Sequence, residues 1–218
     1  MADEMPAVPP EPPAPPPAPA GGGGGGAGGG YPIDLEFNHD LDVANWRPLV
    51  NWLLAIPHWI VLYLLGIVAF VLWIVSLFVV LFTERNPFVG FQTMYLRYYW
   101  RVASFAGFMR DEYPPFDFAT SDNAVVPDAA VVTVEDPGDM NRFLGFVKWL
   151  LAFPHYIVLW LLEIAVFVVL VINFFIVLFT GKWNEAMREF VVGVARWYTR
   201  VHAYVFLLTD KYPPFSLQ

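Results

Sequence analysis

Seven side chains carry the chemistry this sequence offers: His58, His155, Glu163, and two arginine pairs, Arg97 with Arg101 and Arg196 with Arg200. The members of each arginine pair stand four residues apart, which puts both guanidinium groups on one face of a helix. A guanidinium fork binds phosphate or carboxylate bidentately, so gripping lipid phosphates is one role open to them. Packing with the charged head drawn toward water is the other. Histidine is the side chain that titrates near neutrality, and a matched pair invites metal binding or proton transfer. Each of these histidines follows a proline, Pro57 or Pro154, and the simpler role is to cap the carbonyls that a proline leaves free. Glu163 is the one acid inside a long apolar run, where a carboxylate must be neutral, paired or turned inward. Glu163 and Arg200 each lie about 16 residues from the loop between their segments, so at about 1.5 Å per residue two spanning helices would bring them level. A structural pair of Glu163 with Arg200 or Arg196 is therefore expected, with a proton or ion relay as the functional alternative.

These residues recur because the sequence repeats. WLLAIPHWIVLYLL at 52–65 returns as WLLAFPHYIVLWLL at 149–162, carrying His58 onto His155 at an offset of 97. VLFT at 80–83 returns at 177–180 with the same offset. Beyond a two-residue slip in the next loop the offset becomes 99, matching Arg97 to Arg196, Arg101 to Arg200, and Tyr113-Pro-Pro-Phe116 to Tyr212-Pro-Pro-Phe215. A repeat of this length fixes the order in which the structural elements recur.

Each copy opens with a short alternating segment, Ile33 to Phe37 and Ala130 to Asp136, the pattern of a half-buried strand. An apolar run follows, 49–82 and 143–179, longer than the roughly 20 residues a helix needs to cross a bilayer. Pro57 and Pro154 predict a kink, read as an interfacial segment of about 47–56 leading through Pro57 into one span that ends near Phe82, with a shallow hairpin of two short helices as the rival. The last helix of each copy carries a polar stripe, Thr93, Arg97, Arg101 and Ser104 or Glu185, Glu189, Arg196 and Arg200, on an otherwise apolar and aromatic surface. It would either span, packed and paired, or lie at the interface with its stripe toward water. Asn173, aligned with Ser76, is expected to bond a neighbouring helix.

Composition narrows the classes. With 57% hydrophobic and 15% charged residues the chain is far more apolar than a soluble domain. It has no cysteine, which removes thiolate metal sites, disulfides and thiol nucleophiles. A net charge of -8 argues against nucleic-acid partners. Residues 1–30, rich in proline and then glycine, lack the basic and apolar regions of a signal peptide and are expected to form a disordered cytoplasmic tail. Basic residues Arg47, Arg110, Arg142, Lys148 and Lys211 on the tail side outnumber Arg85, Lys182 and Arg188 opposite, which points the same way.

The segments WLLAIPH and WLLAFPHYIVL, then VLFT, then RWYTRVHAYVFLLTDKYPPFSL are similar to domain of unknown function 4389, a bacterial membrane-protein family. The resemblance covers nearly everything after Tyr31, and copy two carries it more closely than copy one. It implies membrane location and repeated modules, and supplies no activity, ligand or catalytic residue. The tail resembles those of high-GC actinobacterial proteins.

The expected fold class is thus an all-α integral membrane protein with short β segments, built from two tandem homologous modules. Each is a long Pro-kinked transmembrane helix followed by an amphipathic Arg-bearing helix. The divisions are 1–30 tail, 31–118 first copy, 119–129 linker and 130–218 second copy. No nucleophile elbow, phosphate loop or zinc motif occurs. The expectation is a non-enzymatic multi-pass protein of the cytoplasmic membrane without cofactor, an accessory subunit or an organiser of membrane lipids, a membrane-protein partner or a second copy of itself. A small transporter or channel component, and an enzyme acting on lipid through His58 or His155, are the alternatives.

Overall fold

The computed structural model describes residues 30–121 and 125–218. The expected tail, apart from Gly30, and the middle of the expected linker lie outside the described residues. Tyr31–Gln218 forms one compact unit containing both copies.

Alternation does produce strands. β1 (Ile33–Phe37) buries Ile33 and Leu35 and exposes Glu36, and β2 (Ala130–Val134) buries Ala130 and Val132 and exposes Thr133. The two pair antiparallel, one strand from each copy, with Leu35 opposite Val132. Six helices follow the same order twice: α1 (Arg47–Leu54), α2 (Ile56–Thr83) and α3 (Val89–Ala106), then α4 (Gly145–Leu151), α5 (Phe153–Thr180) and α6 (Glu185–Val205).

The prolines act differently from the expected kink. α1 ends before Ala55 and α2 begins after it, with Pro57 in the first turn of the new helix, where its missing N–H breaks no bond. Ala152 and Pro154 repeat this between α4 and α5. Proline thus starts a second helix rather than bending a continuous one. At the far end, Glu84 and Gly181 adopt the left-handed conformation that closes α2 and α5. A side chain at 181 would also collide with Asn45 Oδ1, 2.8 Å from an added Cβ.

α2 and α5 are 28 residues each, about 42 Å at 1.5 Å per residue. Both are long and apolar enough to cross a membrane. Only a narrow stripe of α2 is buried, His58, Leu62, Ala69, Ser76 and Val80, against α3. The equivalent stripe on α5 is His155, Leu159, Asn173 and Val177. Much of the remaining surface of these helices is open, with Ile60, Phe70, Phe78, Trp160, Phe167 and Phe175 each more than half exposed.

The copies exchange parts. β1 of the first copy packs on α6 of the second, and β2 of the second packs on α3 of the first. The Val43 amide donates to Gly181 O at 2.9 Å, and its counterpart Met140 donates to Glu84 O at 2.6 Å. Arg85 pairs with Asp139 and Lys182 with Asp42, the same ion pair made twice. Gly145, which opens α4, lies against Leu77 near the end of α2. The end of α2 therefore adjoins the helix leading into α5, the end of α5 adjoins the segment leading into α1, and the two long helices run in opposite senses.

Candidate functional site

The arginine stripes face the strands. Within an antiparallel ribbon residue pairs alternate between bonded and non-bonded, and the Asn38 to Ala129 and Glu135 to Pro32 hydrogen bonds make Leu35 and Val132 a non-bonded pair. Their carbonyls point out of the ribbon, and each meets an arginine of the helix beside it. Arg97 Nε donates to Val132 O at 2.9 Å, and Arg196 Nε to Leu35 O at 3.0 Å. Open strand edges need such cover. The stripe also finds acids: Asp34 Oδ1 lies 3.1 Å from Arg196 Nε and 3.3 Å from an Arg200 terminal nitrogen. Arg200 donates as well to Gln218 O.

In the first copy the acids come from the chain after α3. Arg101 meets Asp117 at 2.8 Å and the Val126 carbonyl at 2.9 Å, and Arg110 pairs with Asp128. All four of these charged side chains are almost fully buried. Burial would raise the Asp117 carboxyl, but the Arg101 hydrogen bond and the amides of Ala119 and Val126 hold it below the ordinary aspartate value. Burial lowers Arg110 from its usual range, against the pull of Asp128.

Each histidine is locked between the last helix and the Tyr-Pro-Pro-Phe turn. His58 stacks on Phe116 at 4.2 Å and its Nδ1 lies 2.6 Å from the Tyr98 hydroxyl. His155 stacks on Phe215 at 3.9 Å and its Nδ1 accepts from Trp197 Nε1 at 3.0 Å. Both rings are fully buried. They meet aromatic partners rather than the carbonyls beside the prolines, so the capping expectation gives way to a clasp that fastens the turn onto the helix start. Among the described residues no three His, Asp or Glu side chains gather as metal ligands.

Glu163 stands apart from the arginines. The expected pairing with Arg196 or Arg200 is replaced by their pairing with Asp34, because β1 inserts beside α6. Glu163 lies instead on the lining of a cavity of about 190 Å³ between α3, α5 and α6, with Tyr99, Tyr198, Val194 and Leu170. Tyr99 and Tyr198 are counterparts in the repeat and stack on each other at 6.0 Å, near-parallel at 14°. Asn173 accepts from the Asn184 amide at 3.2 Å, tying α5 to the start of α6.

Residues 45–117 and 145–216 each match the family described as Domain of unknown function (DUF4389). The chain belongs to this family. It carries the domain in two tandem copies, and both strands fall outside the matched stretches. No curated protein and no solved structure matches the chain. Within the DUF4389 stretches lie both histidine clasps, both arginine pairs and Glu163. Asp34 and Asp128, which the arginines engage, lie outside them.

The acids Asp34, Asp117 and Asp128 and the cations Arg110 and Lys148 belong to no repeated motif, yet they join the charged layer. Lys148 is fully buried, 2.7 Å from Asp210 Oδ1 and 2.6 Å from Thr209 O. Asp34 carried a signal, since it stands in the alternating strand that had to pack somewhere. Lys148 carried one too, as the only cation in the WLL segment where copy one has Asn51.

Proposed function

We propose that this protein is a non-enzymatic component of the cytoplasmic membrane that seats the face made by α2 and α5 in lipid and organises lipids or partners there. The observation that carries this is the placement of opposite surfaces on either side of α3 and α6. On one side lie α2 and α5, whose large apolar side chains stand open along their whole length. A soluble protein rarely leaves a contiguous patch of that size. On the other side lies the ribbon with exposed Glu36 and Thr133 and half-buried Asp34.

This layering supports helices lying in one leaflet rather than a multi-pass arrangement. If α2 and α5 crossed the bilayer, the ribbon packed along α3 and α6 would lie at the depth of the hydrocarbon, with the exposed Glu36 toward lipid. Carboxylates at that depth are costly. With the helices in the plane, the ribbon faces water and the apolar side chains face acyl chains, the balance of an interfacial amphipathic element.

Single cysteines at Arg85 and Lys182 test it, because the chain has none of its own and these residues close opposite ends of the layer. Membrane-impermeant maleimide is expected to reach both from the same side of intact membrane, with the protein resisting carbonate extraction. Labelling from opposite sides would establish crossings instead. Extraction by carbonate would remove the membrane role.

A further inference from the structure

We infer that the cavity at Glu163 is a binding site for a protonated amine carried on a small apolar group. The case rests on where the two copies differ. The position equivalent to this cavity in the other half lies between α2, α3 and α6, and there it is filled. Trp73 reaches across and donates to Val205 O at 2.7 Å, Tyr95 packs against Phe206 at 6.4 Å, and His202 stacks on Tyr198 at 3.8 Å. The repeat replaces these four bulky residues by four small ones around the cavity. Leu170 stands for Trp73, Val194 for Tyr95, Ala103 for His202 and Gly107 for Phe206, and all four line the open space.

The fifth difference is the charge. Gly66 has its counterpart in Glu163. An added Cβ at Gly66 would lie 3.3 Å from the Tyr95 hydroxyl, so glycine goes with the filled half. Glu163 goes with the empty one, where it shares the lining with Tyr99 and Tyr198. Among the described residues no arginine, lysine or histidine pairs with it. The site is an open apolar groove with the exposed Glu163 carboxylate at its rim, and it combines apolar lining for affinity with a polar group for orientation as small-molecule sites do. The carboxylate selects a cation, and a protonated amine returns a charge-assisted hydrogen bond. Size sets the rest: about 190 Å³ of open space holds a single ring or a chain of similar bulk. The amine can arrive free or on a lipid headgroup.

Benzylamine is the probe, titrated calorimetrically into the full chain in nanodiscs, with benzyl alcohol as the neutral isostere. Benzylamine is expected to bind about tenfold more tightly than benzyl alcohol, a gap of about 1.4 kcal/mol. Glu163→Gln should erase that preference and keep the alcohol. Leu170→Trp should abolish both by restoring the bulk of Trp73, whose indole would find the Ala106 carbonyl where Trp73 finds that of Val205. The comparison of the two probes on the unaltered protein needs no variant to fold, and equal affinity there overturns the proposal. So does an unchanged preference in Glu163→Gln. Repeating the titration in phosphatidylcholine and in phosphatidylethanolamine discs separates the sources, since a lipid amine competes only in the second. The labelling result at Arg85 and Lys182 does not bear on any of these outcomes.

Discussion

Leu35 and Val132 face each other across the middle of the ribbon and are also each other's counterparts, 97 positions apart in the repeat. A local two-fold axis therefore runs between them. It continues past the stacked pair Tyr99 and Tyr198, which are related in the same way. The exchange of strands follows from this: with the axis through the ribbon, each strand lies over the other copy's last helix. Neither copy covers its own arginine stripe with its own strand.

The register gives a direct prediction. Residues in a non-bonded antiparallel pair sit with Cα atoms about 4.5 Å apart, within the range a disulfide spans. Leu35→Cys combined with Val132→Cys should cross-link on mild oxidation within a single chain, since there is no other cysteine to compete. Gel mobility with and without reductant reads it. A cross-linked dimer would place the partner strand in a second molecule, and no cross-link would refute the register.

The buried charges of the first copy predict an acid dependence. Asp117 is held below its ordinary value of 3.8 in the folded chain. A depressed carboxylate contributes stability that is complete above 3.8 and is lost as pH falls through the lower folded value. Asp117→Asn should cost about 2 kcal/mol at neutral pH, the worth of a hydrogen bond to a charged group. The gap between the parent and this variant in denaturant unfolding should narrow as pH drops below 3.8. A gap that stays constant through that range would show that the charge on Asp117 contributes nothing.

Much of this was legible in the sequence, for reasons particular residues make plain. The alternation of Ile33, Leu35 and Phe37 gave a strand because period two has only one structural meaning over five residues. The apolar runs gave helices and the matched segments gave the duplication. What failed was anything that depends on which copy touches which. Glu163 and Arg200 were assigned to each other from distance along neighbouring helices, whereas Arg200 meets Asp34, 166 residues away. No spacing rule reports an exchange between copies. The break expected at Pro57 falls at Ala55, because proline is tolerated in the first turn of the new helix. The cavity was invisible because it arises from four substitutions scattered over three helices, each unremarkable alone.

The two histidine clasps differ in the group that meets Nδ1, and that difference predicts a tautomer. Tyr98 offers a hydroxyl that both donates and accepts, so the His58 contact leaves the ring proton free to sit on either nitrogen. Its counterpart Trp197 offers an indole N–H that only donates. His155 Nδ1 must therefore be the acceptor, and the proton of the neutral ring is fixed on Nε2. Nitrogen chemical shifts of histidine-labelled protein should show His155 as a single Nε2–H form at neutral pH. Trp197→Phe removes the donor while keeping an aromatic ring, and should release that preference at a stability cost of about 1 kcal/mol. Finding the Nδ1–H form in the parent protein would mean that the indole and the imidazole are not bonded, and the clasp would then rest on the ring contacts of His155 with Phe215 and Tyr212.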